Sequence, residues 1–131
     1  MTFTSTNGSE AITVAKATTF SADLDINIYD HQTIVTTKLA IAPNPDAIAS
    51  TVLQLDGRAI QLKSVSVDGV QLRDDAFELD DNGIQIRGLT GLHTVETIAK
   101  CHPETNIALE GLYLSGGMYC TQCEPEGFRR I

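Results

Sequence analysis

The 131 residues are 42 % apolar and 20 % charged, with 17 acidic against 9 basic side chains and a formal charge of −8. That length fits one domain able to bury about two thirds of its unfolded surface. The scattered cations, with Arg129-Arg130 as their only doublet, argue against a nucleic-acid partner, and no apolar run approaches the ~20 residues of a helical membrane span.

The first 20 residues are rich in Thr and Ser, and they show no basic region leading into an apolar stretch, so no secretory signal is recognisable. With an odd number of cysteines, three, this favours reduced thiols and a cytoplasmic setting. Residues 1–21 are expected as a poorly ordered or edge-strand segment, with strand character at 11–15 and a flexible spot at Asn7-Gly8-Ser9. Residues 22–131 are expected as a single β-sandwich domain. Tryptophan is absent, so its core must be built from Val, Ile and Leu.

From Ala22 the apolar pattern sharpens. Leu24, Ile26 and Ile28 alternate with Asp23, Asp25 and Asn27, which predicts a half-buried strand with one wet face. Tyr29-Asp30-His31-Gln32 reads as a turn, and residues 34–41 as a long hairpin partner. Pro43-Asn44-Pro45-Asp46 breaks that strand. Strands are predicted at 51–56 and 60–67 around Asp56-Gly57-Arg58. Asp68-Gly69 is a hairpin turn signal. Short strands follow at 70–72, 77–79 and 84–86, with Asp81-Asn82-Gly83 turning between the last two. Residues 92–99 alternate again, and His102-Pro103-Glu104-Thr105-Asn106 is loop. Strands at 112–115 and 118–121 enclose the tight turn Ser115-Gly116-Gly117. No window of useful length carries the 3.6-residue period of an amphipathic helix. Many short strands with turn signals about every 8–12 residues indicate an all-β fold, an antiparallel β-sandwich or saddle-shaped open sheet.

Catalytic motifs are missing. A zinc-protease helix needs H-E-x-x-H, and His31, His93 and His102 lack that spacing and fall in turn or strand contexts. No G-x-S-x-G elbow and no glycine-rich loop leading into a helix is present. Cys120-Thr121-Gln122-Cys123 is half a zinc ribbon, and Cys101-His102 could offer two further ligands. On a strand, however, those two point to opposite faces. A redox pair would need the activation that a helix N-terminus gives to C-x-x-C thiols. Structural thiols are the favoured reading, with zinc and redox roles as alternatives. Glu124 and Glu126 flank Pro125. They read either as a solvated acidic loop or as part of a site for a protonated amine. In the second case Glu124 supplies charge and the Gln122 amide oxygen a second acceptor, both on one side of an extended segment.

The blocks Ala108-Leu109-Glu110-Gly111-Leu112-Tyr113 and Cys120-Thr121-Gln122-Cys123-Glu124 closely resemble the end of the N-terminal domain of bacterial aminopeptidase N-type zinc aminopeptidases. The resemblance runs loosely from Ala22 and tightens over residues 106–129. It implies a saddle-shaped β-sandwich that packs on a thermolysin-like catalytic domain. It also implies that Gln122 and Glu124, at the family's Gln-x-Glu positions, bind the α-amino group of a peptide substrate. The partners implied are a peptide N-terminus and the catalytic domain of the same polypeptide, which is absent here. Zinc would belong to that domain; this chain would hold no cofactor and would be inactive alone. Two departures stand out: residues 1–20 lack the family's aromatic- and proline-containing segment, and Pro125 replaces a small residue. The alternative is a stand-alone β-sandwich interaction module that has kept the scaffold without catalysis.

Overall fold

A computed structural model describes residues 17–44, 52–57, 60–109 and 111–122. Those residues form ten strands: β1 (Ala17–Tyr29), β2 (Gln32–Pro43), β3 (Val52–Asp56), β4 (Gln61–Val67), β5 (Val70–Gln71), β6 (Phe77–Asp80), β7 (Gly83–Arg87), β8 (His93–Cys101), β9 (Gly111–Ser115) and β10 (Met118–Gln122). Two single 3₁₀ turns, Asp74–Ala76 and Pro103–Thr105, are the helical elements of the described residues. The fold is all-β, as the alternation predicts, and every pairing is antiparallel.

The strands make a five-stranded sheet in the order β1-β2-β8-β4-β5, a three-stranded sheet β3-β7-β6, and the separate hairpin β10-β9. Leu39 and Ile41 of β2, Val65 of β4 and Val95 of β8 pack against Leu53, Leu55, Ile84 and Ile86 of the small sheet in one buried cluster. This is a sandwich-like core of aliphatic side chains. The register explains how one side of the large sheet supplies it. Leu39 pairs with Val95, and Val67 with Val95 on the other flank. A bulge between Leu62 and Ser64 shifts β4 by one residue, which lets Leu62, opposite Ala99, share a face with Val65 and Val67.

The inward face continues beyond this core. Along β2 it runs through Thr37, Val35 and Thr33, and the pairing sets Leu24 beside Thr37, Ile26 beside Val35 and Ile28 beside Thr33. Here the structure corrects the sequence. β1 has no buried face: Leu24, Ile26 and Ile28 are 50 %, 45 % and 45 % exposed, and the strand is exposed from Thr19 to its end. They lie on the expected side, but the small sheet stops short of them. β1 also begins at Ala17, ahead of the Ala22 boundary, with a bulge at Phe20 between Thr19 and Ser21. The strand character expected at 11–15 lies outside the described residues.

Candidate functional site

Gln122 is the last residue of β10 and is exposed. It pairs with Gly111 across the hairpin, Thr121 with Leu112 and Cys120 with Tyr113. The turn at Gly116-Gly117 has φ of 56° and 83°, a left-handed pair that glycine takes without a Cβ penalty. The preceding loop holds the hairpin in place: Asn106 donates from Nδ2 to the Leu112 carbonyl at 2.9 Å. Thr105 closes that loop, donating from both its backbone N–H and Oγ1 to the His102 carbonyl at 3.0 Å. Glu124, the other predicted site residue, lies outside the described residues, as do Cys123, Pro125 and Glu126.

Beside the hairpin lies an apolar groove of about 490 Å³, lined by Leu24, Ile26, Val35, Ala99, Ile107, Leu112 and Thr121 among others. Ile107, on its rim, is 94 % exposed.

The thiols and histidines take quieter places. Cys101 and Cys120 are free. Burial, and secondarily the negative charge of Glu104, push the Cys101 thiol above its ordinary range, which disfavours the thiolate a metal or a redox partner needs. Among the described residues no three His, Cys, Asp or Glu side chains gather as a metal site. His102 Nδ1 lies 2.9 Å from the His31 carbonyl oxygen and 3.1 Å from Glu104 Oε1. The Glu104 carboxyl is held low, first by its own backbone N–H and then by His102.

One polar constellation escapes sequence reasoning. His93 Nδ1 sits 2.8 Å from Asp68 Oδ2, and Nε2 sits 3.1 Å from the Thr90 carbonyl. Both ring nitrogens face acceptors, so only the doubly protonated ring satisfies both. Asp68 Oδ1 accepts from the Thr94 N–H at 2.8 Å. The Asp68 hydrogen bond raises the His93 pKa; the Thr94 N–H, then His93, lowers that of Asp68. The cluster ties the β4–β5 turn to the start of β8. Its members are 25 residues apart, and the signal was only a turn aspartate and a lone histidine.

Comparison with known proteins now decides the family. No family model matches the chain. The chain is 36 % identical to "Aminopeptidase N" of Escherichia coli over 110 residues, 83 % of its own length. It is 32 % identical to the Haemophilus influenzae protein of that name over 111 residues, and 39 % identical to the Caulobacter vibrioides one over 79. A solved aminopeptidase A of Legionella pneumophila, in complex with aspartic acid, superposes over 88 % of the chain with a TM-score of 0.76 at 25 % identity. The chain belongs to the aminopeptidase N family. It is an aminopeptidase N-type N-terminal domain. An M1 zinc metallopeptidase of Deinococcus radiodurans shares the fold, with a TM-score of 0.57 at 14 % identity. The aminopeptidase N-type domain spans 9–12 % of the length of these curated relatives.

Proposed function

We propose that this chain is the substrate-recognition domain of a zinc aminopeptidase that removes N-terminal amino acids from peptides. In this reading the Gln122-x-Glu124 segment binds the substrate's free amine. The observation that carries it is the position of Gln122: exposed, at the open end of β10, in a domain of aminopeptidase N type. A protonated α-amine is a compact donor of three hydrogen bonds, and a carboxylate with a neighbouring amide oxygen matches it. Glu124 supplies the charge and Gln122 Oε1 the second acceptor. The first peptide bond lies a fixed few bonds from that amine, so holding the amine places the bond for attack and favours cleavage at the terminus.

Zinc, which supplies Lewis-acid activation of water and carbonyl, belongs in this reading to a catalytic domain outside these 131 residues. This chain's own residues bind and orient; by itself it is inactive.

The test is substitution in a full-length aminopeptidase N-type enzyme that carries this domain. Truncating one partner of a charge-assisted contact in a partly desolvated site costs roughly 2–4 kcal/mol, about a 30- to 1000-fold fall in kcat/KM. Glu124→Ala should show that loss on free-amine substrates with zinc content and fold unchanged. Gln122→Ala should lose less and Glu126→Ala least. Equal, small losses for Glu124 and Glu126 would mean that the pair is only an acidic loop.

A further inference from the structure

Among the described residues the β9–β10 hairpin, which carries Gln122, is a sheet of its own, and a lone two-stranded hairpin is marginal in water. Its placement has to come from contacts outside its own pairing. The two-residue turn at Gly116-Gly117 makes Ser115 and Met118 a hydrogen-bonded pair, and every second pair repeats the pattern, Tyr113 with Cys120 and then Gly111 with Gln122. Leu112 falls between them. Its N–H and C=O therefore point away from β10, to the outer edge of β9. Asn106 Nδ2 donates to that outer carbonyl at 2.9 Å, in a part-buried setting. We propose that Asn106 is a positioning residue for the amine site: its side chain fixes the hairpin, and through it the placement of Gln122 and Glu124 against the substrate's amine. The inference rests on the amine-binding reading above and adds a residue that reading does not use.

The bond is well sited for this role. Leu112 pairs with Thr121, the residue before Gln122, and the next pair is Gly111 with Gln122. A shift of the Leu112 carbonyl therefore reaches Gln122 through one backbone pairing. The anchor is itself held at its other end. The Asn106 N–H donates to the Pro103 carbonyl at 3.3 Å, and Pro103 is buried. Thr105 donates to the His102 carbonyl from both its N–H and Oγ1. His102 directly follows β8. Its Nδ1 meets two acceptors, the His31 carbonyl at 2.9 Å and Glu104 Oε1 at 3.1 Å, so that nitrogen carries a proton. His31 lies between β1 and β2, so a continuous path runs from the end of the five-stranded sheet to Gln122. Position 106 needs a donor, because its partner is a carbonyl; aspartate there has the same shape but sets a carboxylate against that oxygen.

The test uses a full-length aminopeptidase N-type enzyme that carries this domain. Asn106→Asp keeps the shape and removes the donor. It should lower kcat/KM on free-amine substrates by about 10- to 100-fold, the scale of an ~1 Å misplacement. In a Glu124→Ala background the same substitution should cost at most about threefold, because the charged group it places is gone. Inhibition constants separate placement from folding, since loss of folded enzyme moves neither of two such constants. For an α-amino acid hydroxamate the constant should rise about tenfold or more; for the same hydroxamate without its amine it should change less than about twofold. Equal losses with and without Glu124, or equal shifts for the two hydroxamates, would overturn the proposal. If Asn106→Asp does not fold, Thr105→Val removes one exposed bond of the same loop. It should show the same amine-selective shift at about threefold, and no selectivity there would equally overturn the proposal. A full Glu124→Ala loss beside an unaffected Asn106→Asp removes the anchor alone, whereas a Glu124→Ala enzyme as active as its parent removes the amine site as well.

Discussion

Leu55→Ala and Ile26→Ala remove the same three carbons from strand positions that alternate alike in the sequence, yet they should differ several-fold in cost. Leu55 is fully buried, paired across β3–β7 with Ile84, which is 2 % exposed, and packed in the core cluster with Leu39 and Val95. Its truncation forfeits transfer energy and leaves a cavity, together about 3–4 kcal/mol. Unfolding entropy near 2.1 cal/mol/K per residue gives ~0.28 kcal/mol/K for this chain, so Tm should fall by about 11–14 °C. Ile26 keeps 45 % of its surface in solvent and borders an open groove. About half the transfer energy is at stake and no enclosed cavity forms, so the loss should be about 1 kcal/mol, near 4 °C. Thermal and urea unfolding of the 131-residue chain, followed by far-UV circular dichroism, would measure both. An Ile26→Ala loss as large as that of Leu55→Ala would refute the reasoning, because it would mean that the β1 face is covered in the chain alone. Small losses at both would mean that the two sheets do not pack as described.

Three other outcomes are expected. The raised His93 pKa gives stability that is complete below its unfolded value, near 6.5, and is lost as pH rises through the higher folded value. The lowered Asp68 pKa gives stability present above 3.8 and lost as pH falls through the folded value. The Tm gap between the natural chain and Asp68→Asn should therefore be widest between about pH 4 and 6.5 and shrink on either side; a gap constant with pH would exclude the ion pair. Gly83→Ala should destabilise by about 2 kcal/mol or more, because φ is 152° and a Cβ there would collide with the Leu55 carbonyl oxygen; an unchanged urea midpoint would contradict that close approach. The chain purified without chelator should carry well under one zinc and release no amino acid from peptides; a stoichiometric, cysteine-dependent zinc would move the assignment to the ribbon reading.

Much of the architecture was legible in the sequence because its signals are local. Alternation at Leu24–Ile28, 60–67 and 92–99 marks strands from neighbouring residues alone. The Asp68-Gly69, Asn82-Gly83 and Gly116-Gly117 turns follow from backbone sterics, and β4 through β10 begin and end within two residues of their expected bounds. The short blocks around Leu112 and Gln122 were enough to indicate the family. Alternation says which side of a strand is apolar, but coverage of that side depends on what another part of the chain lays over it. Leu24 and Leu39 look equally buried by pattern. Only the placement of the three-stranded sheet over one half of the large sheet leaves Leu39 at 0 % and Leu24 at 50 % exposure. The same holds for His93 and Asp68. Their 2.8 Å contact exists because β4 and β8 are neighbours in the sheet, a pairing set by long-range register, which no local pattern encodes.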